Sequence, residues 1–359
     1  MRWSEEKVWD WYKKTGWLRG CNYMPANCAN RIDMYQNYEW EEHYRCADEE
    51  LKLAHDLGFN SIRIILDFTV WKEEHDDFLN HLDAYLDLCE KHKITVMVTL
   101  GNDCSTPKNE LYVEPHVGEQ KYDWGYHGGR KYSQHGIIAE MGFTPLDEEE
   151  TRDMFYEFVR EVIERYKNDK RVCVWDLYNE VGNNHRENVT LVHLKKFFEI
   201  ARKINPIQPL TACIWSNMEN LDKLSDCQRF CLENSDVISY HCYGNMETNV
   251  KIIRNLKKFN RPIFNTEWLG RVTGSNVFDL FPLFYIEKIS CYNWGFVAGK
   301  YQTYEPWNGT WERYERGEGE HYDFRLWFHD LYRPSHRPYD PKETELIKRI
   351  CDLADEDEK

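Results

Sequence analysis

Short apolar runs alternating with stretches of helical periodicity limit this chain of 359 residues to a small set of folds. The runs are Leu18 to Tyr23, Ser61 to Leu66, Ile94 to Leu100, Val172 to Tyr178, Leu210 to Ile214, Val237 to His241, Pro262 to Thr266 and Tyr292 to Val297. Each is too short for a core helix and mostly apolar, the mark of a strand covered on both faces. Helical spacing fills Asp48 to Leu57, Phe78 to His92, Glu148 to Tyr166, Leu191 to Lys203 and Asn249 to Phe259, and recurs ahead of Tyr285. Strand and helix in strict alternation predict an α/β protein, a single (β/α)8 TIM barrel. The expected organisation is one catalytic domain over 1–359. A helix at about 4–15 plugs the barrel bottom, the barrel occupies about 17–298, and a loop with a C-terminal helix fills about 299–359. Asp352 to Lys359 reads as a solvated, frayed end.

Two connections are longer than ordinary loops: Gly101 to Asp147 after the third strand and Gly299 to about Asp323 after the eighth. Loops that follow barrel strands lie on the catalytic face, so both should border a site. They are rich in Trp, Tyr, His and Gly, which favours ordered walls over a tether.

The formal charge of -16 argues against nucleic acid or an anionic membrane as partner, since both call for basic patches. A neutral ligand is compatible with it. No apolar run follows the first residues and none is long enough to cross a bilayer, so a cytoplasmic location is expected. The 12 Cys follow no CxxC spacing, and Cys173, Cys213, Cys242 and Cys291 lie inside apolar runs, so they are expected to be reduced core residues. Nothing in the sequence reports the oligomeric state.

Two segments carry chemistry. Trp175-Asp176-Leu177-Tyr178-Asn179-Glu180 and Ile263-Phe264-Asn265-Thr266-Glu267-Trp268 each run a buried-strand pattern into a glutamate. Carboxylates at the C-terminal ends of the fourth and seventh strands face each other across a barrel mouth, and a pair of them is the minimum equipment for cleaving a glycosidic bond. One must be anionic to attack the anomeric carbon while the other delivers a proton.

Asn179-Glu180, Glu267, Arg63 on the second strand, His241-Cys242-Tyr243 after the sixth and Trp294 on the eighth together resemble the clan A glycoside hydrolases, family 5 in particular. The resemblance spans about Leu18 to Val297. It implies that Glu180 is the general acid/base, Glu267 the nucleophile and Asn179 a partner for the sugar 2-hydroxyl. It further implies that Arg63 and Tyr243 hold Glu267 ionised, that His241 lines the site near Glu180, and that Trp294 floors the subsite of the cleaved sugar. One position departs from the family pattern: where a His is common at the end of the third strand, this chain has Asn102-Asp103.

Other residues join the expectation from the residues themselves. Asp103 is a candidate acceptor for a sugar hydroxyl, whereas Asp176, four residues before Glu180, should serve another barrel layer. Trp40, Trp71, Trp124, Tyr126, Tyr304, Trp307 and Trp311 are placed on the catalytic face, with Trp124 and Trp307 as candidate platforms for sugar rings. The reading is a retaining β-glycoside hydrolase acting on a neutral β-linked oligosaccharide or glycan, with carbohydrate as its partner. This chemistry requires no cofactor and no metal. The rivals are a non-catalytic carbohydrate-binding barrel, a transglycosidase using the same intermediate, and a metal-dependent barrel hydrolase, for which the first strand lacks an HxH pair.

Overall fold

The computed structural model describes residues 1–132 and 140–357. Its sheet holds eight parallel strands: β1 (Arg19–Asn22), β2 (Ser61–Ile65), β3 (Thr95–Asn102), β4 (Val172–Asn179), β5 (Leu210–Thr211), β6 (Ile238–His241), β7 (Ile263–Trp268) and β8 (Ser290–Asn293). Their spatial order is β5-β4-β3-β2-β1-β8-β7-β6. A parallel bridge from Ile214 to Tyr240 joins the two ends, so the sheet is nearly closed into a (β/α)8 barrel. β5 is the shortest strand of the eight, since only Leu210 and Thr211 pair with β4 before the chain turns to meet β6 at Ile214.

Polar caps and a left-handed glycine mark the ends of several helices. Ser225 and Asn245 cap their helices by accepting backbone N–H groups of Gln228 and Thr248, and Gly58 closes the helix Trp40–Leu57 in the left-handed conformation. The helix Glu5–Thr15 sets Val8 and Tyr12 against Leu18, Met97, Val174, Phe264 and Tyr292, which seals the bottom of the barrel with apolar side chains.

Several boundaries differ from the sequence expectation. The helix expected from Asp48 begins at Trp40, because an earlier turn buries His43 and Ala47. The C-terminal helix runs from Pro341 through Asp357 instead of fraying after Ile350, since Ile347, Ile350, Cys351 and Ala354 are all buried. β8 ends at Asn293, so Trp294 begins the loop beyond it. The loop after β3 contains short 3-10 turns at His127–Gly129 and Pro145–Asp147, and its segment 133–139 lies outside the described residues. The loop after β8 carries the helix Asn308–Glu315, which the sequence pattern did not reveal.

Candidate active site

The strand ends place the two glutamates at the rim of the barrel. Glu267 is within β7 and Glu180 follows β4 directly, with Glu180 in the left-handed region at φ 46°. A side chain larger than glycine there is uncommon and costs on the order of 1 kcal/mol or more, which the surrounding hydrogen bonds must offset. Both carboxylates line a cavity of about 430 Å³ at the C-terminal face, together with Asn179, His241, Tyr243, Trp294 and Trp307.

Below Glu267 the barrel interior is polar. Arg63 is fully buried and donates from Nη1 to Glu267 Oε1 at 2.9 Å, from Nη2 to Asn179 Oδ1 at 2.6 Å, and from Nε and Nη2 to Asp176 Oδ2 at 3.1 and 2.7 Å. Asp176 thus serves a layer beneath the mouth, as its spacing from Glu180 indicated. Tyr243 donates its hydroxyl to Glu267 Oε2 at 2.7 Å. Glu267 therefore sits between a guanidinium and a phenol, the surroundings that favour an ionised and oriented carboxylate.

Glu180 has a different set of partners. His241 Nδ1 lies 2.6 Å from Glu180 Oε1 and 3.4 Å from Glu267 Oε2. Cys104 donates its thiol to Glu180 Oε2 at 3.0 Å, and Asn183 donates to the same oxygen. An oxygen of Glu180, an oxygen of Glu267 and a ring nitrogen of His241 all lie within 4.8 Å of one another. These are metal-ligand types, and the carboxylate oxygens are also engaged by Arg63, Tyr243, Cys104 and Asn183.

The two carboxyls meet different influences. Burial pushes the Glu180 carboxyl up, but the hydrogen bond and charge of His241, with Cys104 and Asn183, outweigh it and bring the group down to about 2. Burial raises Glu267 above its ordinary value, and the Glu180 charge adds to that, against the pull of His241, Arg63 and Tyr243. The two carboxyls are thus pushed in opposite directions. The cause is His241, which the strand β6 aims at Glu180 more closely than at Glu267. The two carboxyls interact and titrate as a pair, so a leaving-group oxygen entering beside Glu180 redistributes protons between them.

The walls come from the long loops. His127, in the loop after β3, donates from Nδ1 to the Glu305 carbonyl at 2.7 Å, and its Nε2 accepts from the indole N–H groups of Trp307 at 3.1 Å and Trp294 at 3.4 Å. Trp307 in turn stands edge-on to Tyr243, with ring centroids 4.8 Å apart. One histidine therefore links both cleft tryptophans to the tyrosine that holds Glu267. Gly295 allows the turn that presents Trp294: its φ is 76°, and a Cβ there would meet Asp330 Oδ1 at 2.5 Å. Trp215 lines the opposite wall and is anchored by its indole N–H to the Val181 carbonyl.

Of the residues expected from the sequence, Glu180, Glu267, Asn179, Arg63, His241, Tyr243, Trp294 and Trp307 come together here. Asn179 lines the cleft with its Oδ1 engaged by Arg63 and its Nδ2 donating to Asn102 Oδ1 at 2.8 Å. Asp103 does not reach the cleft. It is fully buried, accepts from Tyr178, Arg186, Thr190 and the Gly182 N–H, and so pins the segment after β4 from behind. Trp124 is not among the residues lining the cavity; it is 62% exposed, with its edge-to-face partner Tyr122 beside it. Trp40 stacks on His81, Trp71 packs on Phe68 and Phe158, Tyr304 on Trp327, and Trp311 on Phe324, so these rings join helices and loops to the barrel. The sequence reading missed His127, Cys104, Asn183 and Trp215, because their partners lie far away along the chain. The abundance of His and Trp in the long loops was the one available signal.

Two carboxylates bracketing one point at the mouth of a (β/α)8 barrel define the architecture of a glycoside hydrolase. The model of the family described as cellulase (glycosyl hydrolase family 5) matches residues 21–294, and the chain belongs to that family. Cellodextrinase A of Ruminococcus flavefaciens is 21% identical over 239 residues, 64% of this chain and 56% of that protein, so the chain spans little more than half its length. The endo-beta-1,4-mannanase from Thermotoga petrophila has a similar fold, with a TM-score of 0.58 at 15% identity over 96% of this chain and 78% of that one. A glycoside hydrolase family 5 mannosidase from Rhizomucor miehei matches with a TM-score of 0.58 at 12% identity, over 95% of this chain and 94% of that one.

Proposed function

We propose that the protein is a retaining β-glycosidase that cleaves a β-linked oligosaccharide through a covalent glycosyl-enzyme. The observation that carries this reading is the approach of a Glu180 oxygen and a Glu267 oxygen to within 4.8 Å. Retaining enzymes hold the pair at roughly 5 to 5.5 Å, whereas inverting ones leave roughly 6.5 to 9.5 Å for a water. In the first half-reaction Glu267 attacks the anomeric carbon while Glu180 gives a proton to the departing oxygen. The ester that forms removes the Glu267 charge, and Glu180 then takes a proton from the water that releases the sugar. Arg63 and Tyr243 orient the nucleophile, Asn179 stands beside the sugar at the 2-hydroxyl position, and Trp294 with Trp307 forms the stacking walls. The names of the similar proteins make β-mannosides and cellodextrins the first substrates to try. We also place the protein in a reducing cytoplasmic setting, a reading supported by its 12 free thiols, ten of them buried.

The test is chemical rescue. Glu267→Ala should lose turnover of an aryl β-glycoside and regain part of it with azide, giving the α-glycosyl azide. Glu180→Ala should slow poor leaving groups far more than activated ones and give the β-azide. NMR of the first product formed by the wild type should show the β-anomer; an α-anomer would sink the retaining mechanism.

A further inference from the structure

The cleft continues past Asn102, Cys104 and Tyr301 into a second cavity of about 270 Å³ beneath the loop after β3. Arg31 and Arg130 both line it, and Arg31 also faces the main cavity beside Trp294. Both side chains are partly buried. Neither forms a salt bridge or a side-chain hydrogen bond with any described residue, although the chain has 62 acidic residues against 46 basic ones. Arg254 and Arg349, also without a hydrogen bond or ion pair to a described residue, are exposed, and Arg313, likewise unpaired among the described residues, is exposed at the edge of the main cavity. The acidic group in the cavity wall is Asp67, which feels the Arg31 charge but forms no salt bridge with it, and its Oδ1 accepts from the backbone N–H groups of Thr69 and Val70. Tyr301 lines the same cavity as both guanidinium groups.

A guanidinium drawn partly out of water without an acceptor is unfavourable unless a ligand supplies one. Its planar fork matches a carboxylate with two parallel hydrogen bonds. We propose that this arm of the cleft recognises the carboxylate of a uronic acid residue in the substrate, held by Arg31 and Arg130. This deepens the glycosidase reading and rests on it. It replaces the neutral substrate suggested by the overall charge, because net charge averages over the whole surface while recognition depends on the local field.

The experiment compares matched oligosaccharides with and without a uronate: xylo-oligosaccharides with and without a glucuronic acid branch, and β-1,4-mannuronate against β-1,4-mannose oligomers. Binding is measured by calorimetry on Glu267→Ala, alone and combined with Arg31→Ala, Arg31→Lys or Arg130→Ala. Melting temperatures check that each variant is folded. One uronate should bind about tenfold or more tightly than its neutral partner, with the preference weakened by salt. Arg31→Ala should bring the ratio near one, and Arg31→Lys should keep part of it. Equal binding of both members of each pair, or a uronate preference that survives in the Arg31→Ala/Arg130→Ala double variant, overturns the inference. Hydrolysis of neutral β-glycosides without any uronate preference counts against this proposal alone, whereas a wild type that cleaves no β-glycoside counts against the glycosidase reading.

Discussion

His241→Phe should move the protonation of Glu180, and the structure sets the size of the effect. The imidazole is the strongest of the influences that bring Glu180 from its ordinary 4.5 down to about 2. At about 1.4 kcal/mol per pH unit, that drop corresponds to roughly 3 kcal/mol of interaction with the ionised carboxylate. Burial alone would raise the group, so without His241 the carboxyl should climb past its ordinary value. The sign follows from linkage. A carboxyl held low in the folded state adds stability that is present above about 4.5 and is lost as pH falls through about 2. The phenylalanine variant should therefore be about 2 to 3 kcal/mol less stable than wild type at pH 7 in urea unfolding, with the gap closing as pH falls from 4.5 toward 2. In parallel, the limb of the kcat/KM profile governed by Glu180 should shift to higher pH by about one unit or more with an aryl β-glycoside. His241→Gln, which keeps a donor near Oε1, should show a smaller change in both readouts. An unaltered pH profile in the phenylalanine variant, together with a stability loss independent of pH, would refute the argument that His241 sets the charge of Glu180.

Three further outcomes are expected. His127→Phe removes the acceptor shared by Trp294 and Trp307, so KM for an oligosaccharide should rise by about tenfold while the fold is retained by circular dichroism. Trp124→Ala should leave kcat and KM within about twofold of wild type, because the ring is exposed and lies outside the cavity lining. Asp330 is buried, and burial pushes its carboxyl up to about 7 against the hydrogen bonds from Thr303. A carboxyl raised in the folded state costs stability as pH rises from its unfolded value toward 7, so Asp330→Asn should stabilise the protein by about 1 to 3 kcal/mol at pH 8 and have little effect at pH 4 in denaturant titrations.

The meeting of the two glutamates at the mouth was legible because each ends a buried run, and a barrel strand's C-terminal end leads toward the mouth. Asp103 follows the same rule in sequence yet points backward. It comes after β3 has ended, where Arg186, Thr190 and Tyr178 converge on it from β4 and the segment behind. The aromatic residues were the least legible group. A Trp in a loop packs a helix, as Trp40 does on His81, or walls a cleft, as Trp307 does beside Tyr243, and the two uses share one sequence appearance.

By itself the sequence determined the barrel and the opposition of its two acids, since strand periodicity and alternation with helices are local properties and parallel closure then carries Glu180 and Glu267 to a common rim. Only the tertiary structure decided how those acids are partnered. Arg63 meets Glu267 across 204 residues of chain and His241 meets Glu180 across 61, and such bonds depend on angles at strand ends that no local pattern encodes. The same holds for the two arginines facing the cleft, whose lack of an ion pair among the described residues emerges only from the packing around them.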